Sequence, residues 1–380
     1  MPKTLTIPTA LLMIASMGGG CDHPARNPAG RVQTLSAVLA ARSNAEIEFN
    51  YISDVDVDSR GQIYAGDGLA EIVVLDSAGA MVRRLGRLGF GPGEFEAVST
   101  VHLLPGDSLY VYDGPAMRAT VYEPQSTTVA YTVRFPEAGF AFPVDVEPTR
   151  RGFLLAHFRR INGEVPTAGH RQDDIVRVLN QDGSVQRDTV VLVPEPETIE
   201  VRTDSRHGFF FLPYTRQTLV RWSSDGRIYS LWTDSARVKV HGPDGRLRAD
   251  FTAQLPFPRL PIQQRTIDSL VEINGKGGFP RRTLEEAFGG RWQTWPLVQD
   301  MLVDDRSRIW IQPVTQGPQA TWLAFDERGQ RLATLHLPRS TRPRLIRGER
   351  MYAVSTDSLD VESLVVYRLT PSSTRTGEEP

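Results

Sequence analysis

The residues able to do chemistry are few and widely spaced. Cys21 is the single cysteine, and it follows an apolar run, Leu5 to Met17, with Lys3 as the lone preceding charge. A thiol placed there suits lipid attachment after export, and the chain allows no intramolecular disulfide. Secretion without lipid is the alternative, with Cys21 an incidental thiol. The segment GRLGFGPGEF (86–95) carries four glycines and a proline, so its backbone must turn tightly. Glu94 in it could hold a cation or a ligand group. The same composition also suits a rigid connector with Phe95 packed inward, which is the reading we favour. Asp67 and Asp113 close the runs YAGD and YVYD, where they are turn caps first and lining of a central funnel second.

Seven histidines are scattered, with no HxxH, HxH or HExxH spacing, so no local metal motif exists. His157, beside Arg159, and His170 are the best-placed pair, each also readable as an ordinary satisfied histidine. No GxSxG occurs, and the only thiol is N-terminal, so neither nucleophile motif is present in the folded part. The stretch GKGGFPRR with the following tryptophans places Lys276, Arg281, Arg282 and Trp292 together. A basic, aromatic lid of that kind could meet an anionic or glycan ligand. A packed lid with solvated charges is the plainer alternative.

The elements that must position these residues are strands. In 52–86 four short β-type runs (ISDVDV, QIYAG, EIVVL, MVRRL) alternate with the breaks DSRG, DG and DSAG. Apolar alternation between turn residues makes an antiparallel meander. The same order recurs in 100–135, 144–193, 219–251, 298–335 and 344–369. First turns fall near Gly61, Gly106, Gly152, Gly226, Ser307 and Gly348, the first three 45 and 46 positions apart. That period predicts an all-β propeller of six four-stranded blades. The sixth unit lacks a fourth strand, and 31–38 supplies it, closing the ring. A helix involving 39–49 competes for part of that segment.

The quoted runs, with GxGPGEF and LVDDRSRIWI, resemble the exported bacterial six-bladed β-propellers of the NHL-like and TolB-like superfamily over about residues 31–369. The resemblance implies the fold, export and a role in binding a ligand or partner, and it implies no settled activity. No cofactor is expected. Calcium is the ion a propeller funnel would take, although few Asn stand near the strand starts.

The chain has 380 residues and a formal net charge of −2, so no basic excess exists to drive nucleic-acid binding. The expected organisation is a lipoprotein-like signal (1–21), a tether (22–30), the propeller (31–369) and a tail (370–380). The long connections 86–98, 136–143, 194–214 and 256–296, with the loop 159–173, all fall on one side of the ring. Within 262–292, Ile267, Leu270 and Val271 share a helical face, and Thr283 with Glu286 fits a capping box. The expected function is therefore a monomeric binding or scaffold propeller that meets an envelope protein, peptide or glycan on its loop-rich face. It would be an envelope lipoprotein, or else periplasmic or secreted. The alternative is a metal-dependent hydrolase or lyase with its site in the funnel.

Overall fold

The computed structural model describes residues 32–135, 141–160 and 173–372, apart from the side chains of 141, 142 and 160. Cys21, His170, the signal-like segment, the tether and nearly all of the tail lie outside them. The described chain is all-β with two small helices, arranged as a propeller-like ring of sheets.

Four sheets are four-stranded meanders in chain order. Ile52–Val57, Ile63–Asp67, Glu71–Leu75 and Met81–Leu85 form the first, within a residue of the runs read from the sequence. The others span 98–134, 141–194 and 218–252. Burial falls outward across each. Ile63–Asp67 is buried throughout, whereas Met81–Leu85 is mostly exposed, because a middle strand is covered on both faces and an outer one is not. The remaining strands make one eight-stranded sheet. In it Val298–Val303 to Arg331–Pro338 and Thr341–Arg347 to Glu362–Pro371 flank the N-terminal strand Gln33–Arg42.

That N-terminal strand joins both halves. It runs antiparallel to Glu362–Pro371 from Leu35↔Pro371 to Arg42↔Val365, and parallel to Arg331–Pro338 over three pairs. The strand therefore extends to Arg42, beyond the predicted 31–38. The helix-forming composition of LSAVLAAR loses to the backbone bonds offered by two open strand edges.

Apolar clusters run between consecutive sets of strands. Tyr64, Ile72 and Val74 pack with Val101, Leu109 and Val111. Tyr112 and Val121 pack with Leu154 and Phe158, and Val176 and Val191 with Trp222 and Ile228. Leu231 and Val238 then meet Met301 and Ile311, and Trp310 and Trp322 meet Met351 and Leu369. Val354 and Val366 finally return to Ile52 and Val55. The cycle closes on itself, so no set of strands hides its faces alone.

Five of the tight turns share one design. Asp58, Asp76, Asp304, Asp326 and Asp357 each accept the N–H groups two and four residues on through Oδ1. Such side-chain bonds replace the backbone bonds that a tight turn cannot make. Ser307 takes φ +61 where the corresponding first turns use glycine, as at Gly61 with φ +82.

Candidate functional site

A cavity of about 480 Å³ lies where the first strands of all the meanders converge. Its lining comes from six strands: Ile52–Val57, Val98–Leu103, Ala141–Pro148, Thr218–Trp222, Val298–Val303 and Thr341–Arg347. Each is an edge strand of its sheet. In five of them the register slips at a matching place, between Ile52/Asp54, Val98/Thr100, Pro143/Asp145, Val298/Asp300 and Pro343/Leu345. A recurring bulge re-aims the next side chain, and in four strands that residue is Asp54, Thr100, Asp145 or Asp300.

Side chains from each strand reach the next one around the ring. Arg344 donates to the Ile52 carbonyl at 3.1 Å, and Arg347 to Asp56 at 2.7 Å. Asp54 and Asp56 accept the Val101 and Leu103 N–H groups at 3.0 and 2.7 Å, which occupies donors on an otherwise open edge. His102 Nε2 stands 3.7 Å from Glu147 Oε1. Trp222 Nε1 donates to Asp145 Oδ2 at 3.0 Å, and Arg221 to Asp300 at 2.8 Å. The Gly348 N–H donates to Asp305 at 2.9 Å and completes the circuit.

Electrostatics in one sector is unbalanced. Burial pushes the Glu147 carboxyl up to about 8; His102 opposes this, while Asp145 and Asp54 add to it. Burial likewise raises Asp54. Burial works against the charged form of His102, but Glu147, Asp54, Asp56 and Asp145 outweigh it and hold its pKa above the ordinary value. Burial holds Arg344 below the usual guanidinium range. Buried atoms of Thr100 (Oγ1), His102 (Nε2), Asp145 (Oδ1) and Tyr110 (OH) have no hydrogen-bond partner. Among the described residues no group of three or more His, Cys, Asp or Glu side chains could hold a metal ion.

A second pocket belongs to the loop-rich side. The two long crossovers flanking Thr218–Thr252 fold together. One supplies a hairpin, Ile199–Arg202 with His207–Phe210, that the sequence did not announce. The other supplies the helices Gln264–Gly275 and Arg281–Gly290. Ile199, Val201, Leu212 and Tyr214 from the first pack on Ile267, Val271, Leu284 and Phe288 from the second. Arg216 and Arg259 both bind Asp234, at 3.0 and 2.6 Å, which ties this lid to the ring below. Beneath it lies a pocket of about 390 Å³ whose lining includes Gln217, Gln263, Gln299, Thr315, Gln316 and Trp295. A groove of about 450 Å³ adjoins it through Leu260, Val314, Thr315 and Gln316.

The residues singled out in the sequence occupy other places. Glu94 accepts from the Gly91 N–H at 2.8 Å and from Arg87 at 2.8 and 2.6 Å, while Phe95 is fully buried. The Gly91 N–H and Arg87 hold the Glu94 carboxyl below the ordinary range. Asp67 accepts from Asn50, and Asp113 from the Glu96, Ala97 and Ala116 N–H groups, so both cap turns. His157 meets Asp174 at 3.0 Å, with Arg159 3.6 Å from the same carboxylate. Lys276 sits exposed at the end of the first helix. Arg281 and Arg282 pair with Glu285 and Glu286 one turn on. Trp292 packs in the lid against Tyr214, with Arg216 and Arg291 over its ring. The capping box at Thr283 and Glu286 does not form. The second helix starts earlier, with Pro280 as its N-cap residue and no side-chain cap, because proline presets the φ needed there.

Sequence reasoning passed over Asp54, Asp145, Glu147, Arg221, Asp300 and Arg344, and set His102 aside. Their signal was present: each first run of a repeat carries a polar or charged residue alternating with a buried apolar one, as in ISDVDV and VQDMLV.

No family model matches the sequence, and no curated protein matches it. Solved structures do. A member of the DUF4221 family from Bacteroides vulgatus superposes with a TM-score of 0.55 at 8% identity, covering 90% of this chain and 100% of that one. A protein from Bacteroides fragilis that carries the description of an exported protein gives 0.52 at 11% identity, covering 90% and 96%. Virginiamycin B lyase from Staphylococcus aureus gives 0.42 at 9% identity, covering 89% and 99%. At these identities the likeness concerns the fold alone.

Proposed function

We propose that this chain is an exported six-bladed β-propeller that acts as a binding module on its loop-rich face. The eight-stranded sheet reads as two blades stitched along the N-terminal strand, and the closed cycle of apolar clusters supports the count of six. Export, lipid attachment at Cys21 and the placement among NHL-like, TolB-like propellers rest on the sequence. A structural neighbour described as exported is in keeping with them. Among the described residues no helix is long and apolar enough to cross a membrane.

The observation that carries the reading is the pocket under the lid. Two separate crossovers are invested in one small core, and that core roofs a space lined by amides, hydroxyls and Trp295. Among the described residues that line it, Arg265 and Arg339 are the ionisable groups. Such a surface suits a neutral glycan or a peptide backbone, whose hydroxyl and amide groups need matched partners more than charge. The protein acts as a monomer in this reading. The test is a glycan and peptide array on the purified chain, followed by Gln299→Ala with Gln316→Ala. The double variant is expected to lose at least tenfold in affinity while keeping its melting temperature. Glycan or peptide contacts that map to the tight-turn face would refute the reading.

A further inference from the structure

We propose that the central cavity holds a binding site for a small organic cation with N–H donors, of the alkylammonium class, between strands Val98–Leu103 and Ala141–Pro148. The site is separate from the pocket under the lid. The cavity lining reaches the first turns, at Pro105, Arg150, Asp225 and Asp305, so its mouth lies on the tight-turn side.

Three observations converge. The first is an excess of carboxylate. Asp54, Asp145 and Glu147 face one imidazole, His102, whose nearest approach to Glu147 is too long for a hydrogen bond. Of the neighbouring guanidiniums, Arg221 pairs with Asp300 and Arg347 with Asp56, while Arg344 donates to the Ile52 carbonyl and keeps a buried Nε without a partner. The second is unmet hydrogen bonding. Asp145 Oδ1 is an acceptor without a donor, and the Thr100 hydroxyl has no partner as donor or acceptor. Tyr110, only 2% exposed, presents a phenol with no partner, and burial holds its proton on, with Tyr112, Asp145 and Glu147 adding to the effect. It lines a side pocket of about 260 Å³ that shares Leu104, Pro105, Pro148, Thr149 and Arg150 with the central cavity. Native structures rarely leave so many buried polar atoms unpaired in one place. The third is spacing. Asp54 stands on one strand and Asp145 and Glu147 two positions apart on another, and among the described residues they do not make a metal-holding group. A larger cation, whose several N–H groups can each reach a different oxygen, fits that spread.

The charged groups acting on Glu147 are His102, Asp145, Asp54 and Arg221; Asp56 acts on His102, Arg344 on Asp54, and the Tyr110 phenol feels Glu147 and Asp145. A bound cation favours ionised Glu147, so the carboxyl gives up its proton on binding. Raising the pH through about 8 ionises Glu147, which favours the cation.

The experiment is titration calorimetry of the chain purified from residue 22 onward, with butane-1,4-diammonium and the uncharged butane-1,4-diol as probes. The diammonium is expected to bind and the diol not to. Affinity should rise at least fivefold from pH 6.5 to 8.5, with proton release shown by measuring in buffers of different ionisation enthalpy. Glu147→Gln should weaken binding at least tenfold and abolish the proton release, and Asp145→Asn should also weaken it at least tenfold. Glu147→Gln resembles the protonated carboxyl, so its melting temperature at pH 6 should match that of the parent chain. Asp305→Asn at the mouth should change affinity by less than threefold. Equal binding of diol and diammonium, no binding at millimolar probe, or affinity that follows Asp305 and ignores Glu147 and Asp145 would each overturn the proposal.

Discussion

Replacing Phe288 by alanine tests whether the lid is a cooperative unit of its own. Phe288 is fully buried, packs edge-on against Phe210 at 5.3 Å between ring centres, and shares its cluster with Ile199, Val271 and Leu284. A buried phenyl hides about 150–250 Å². At about 25 cal/mol per Å² that is roughly 4–6 kcal/mol, and a compact unfolded state trims it to about 3–5 kcal/mol. Truncations of this kind cost about the same when measured. The cluster contains residues of the hairpin, the helices and their connections, and none from the strands of the ring. The loss should therefore fall on local opening of the lid. Since about 1.4 kcal/mol is a factor of ten, the opening equilibrium should shift by roughly two to three and a half decades. Hydrogen exchange followed by mass spectrometry reads this directly. Peptides covering 199–212 and 264–290 should exchange hundreds-fold faster or more, while Ile228–Trp232 and Ile309–Pro313 keep their protection. Equal acceleration in those ring strands would refute a separate lid, as would unchanged exchange everywhere.

Three further outcomes follow from the same structure. Deleting residues up to Arg42 removes a seven-pair antiparallel ladder. At about 0.5–1.5 kcal/mol per bond the loss is on the order of 5 kcal/mol, and it leaves Glu362–Pro371 an open edge. Urea unfolding and light scattering should show lower stability and concentration-dependent association, and a monomer of unchanged stability would refute closure by this strand. Asp304→Ala removes the acceptor of the Arg306 and Arg308 N–H groups, Arg308 Nε and Trp310 Nε1. With Trp310 fully buried, its indole N–H is left unpaired, and stability in urea should fall by about 3–5 kcal/mol. The third outcome concerns pH. Glu147 titrates higher in the folded chain, near 8, than unfolded, near its ordinary 4.5, so the folded state binds the extra proton between those values. That contribution is complete below about 4.5 and is lost as pH rises through about 8. Glu147→Gln should therefore flatten the decline and be more stable than the parent at pH 9, by on the order of 1–3 kcal/mol; a parallel pH profile would count against it.

The repeat was legible because its signals are local. Apolar alternation fixes which residues can share a sheet face, and the Asp-led turns bond within five residues, so runs such as EIVVL and turns such as DERG declare themselves. The helix Gln264–Gly275 was legible for the same reason, through Ile267, Leu270 and Val271, whereas the capping box read for the second helix does not form. The hairpin 199–210 was not, because its strands are only four residues long and are stabilised by Leu284 and Phe288 some 80 positions away. Asp54, His102 and Glu147 could be seen as polar interruptions of apolar strands, but nothing in their local spacing brings them together. Glu94 and Arg281 drew notice as charges in unusual settings, and each has its partner a few residues away on the same segment.

The sequence by itself determined the strands of the meanders, their tight turns and the meander order, since each depends on contacts within a few tens of residues. Only the tertiary structure decided which charges meet. Side chains separated by whole repeats become neighbours when the ring closes, and burial there sets their protonation. It also decided that two crossovers on either side of one meander form a single roof, because neither has enough apolar surface to fold without the other.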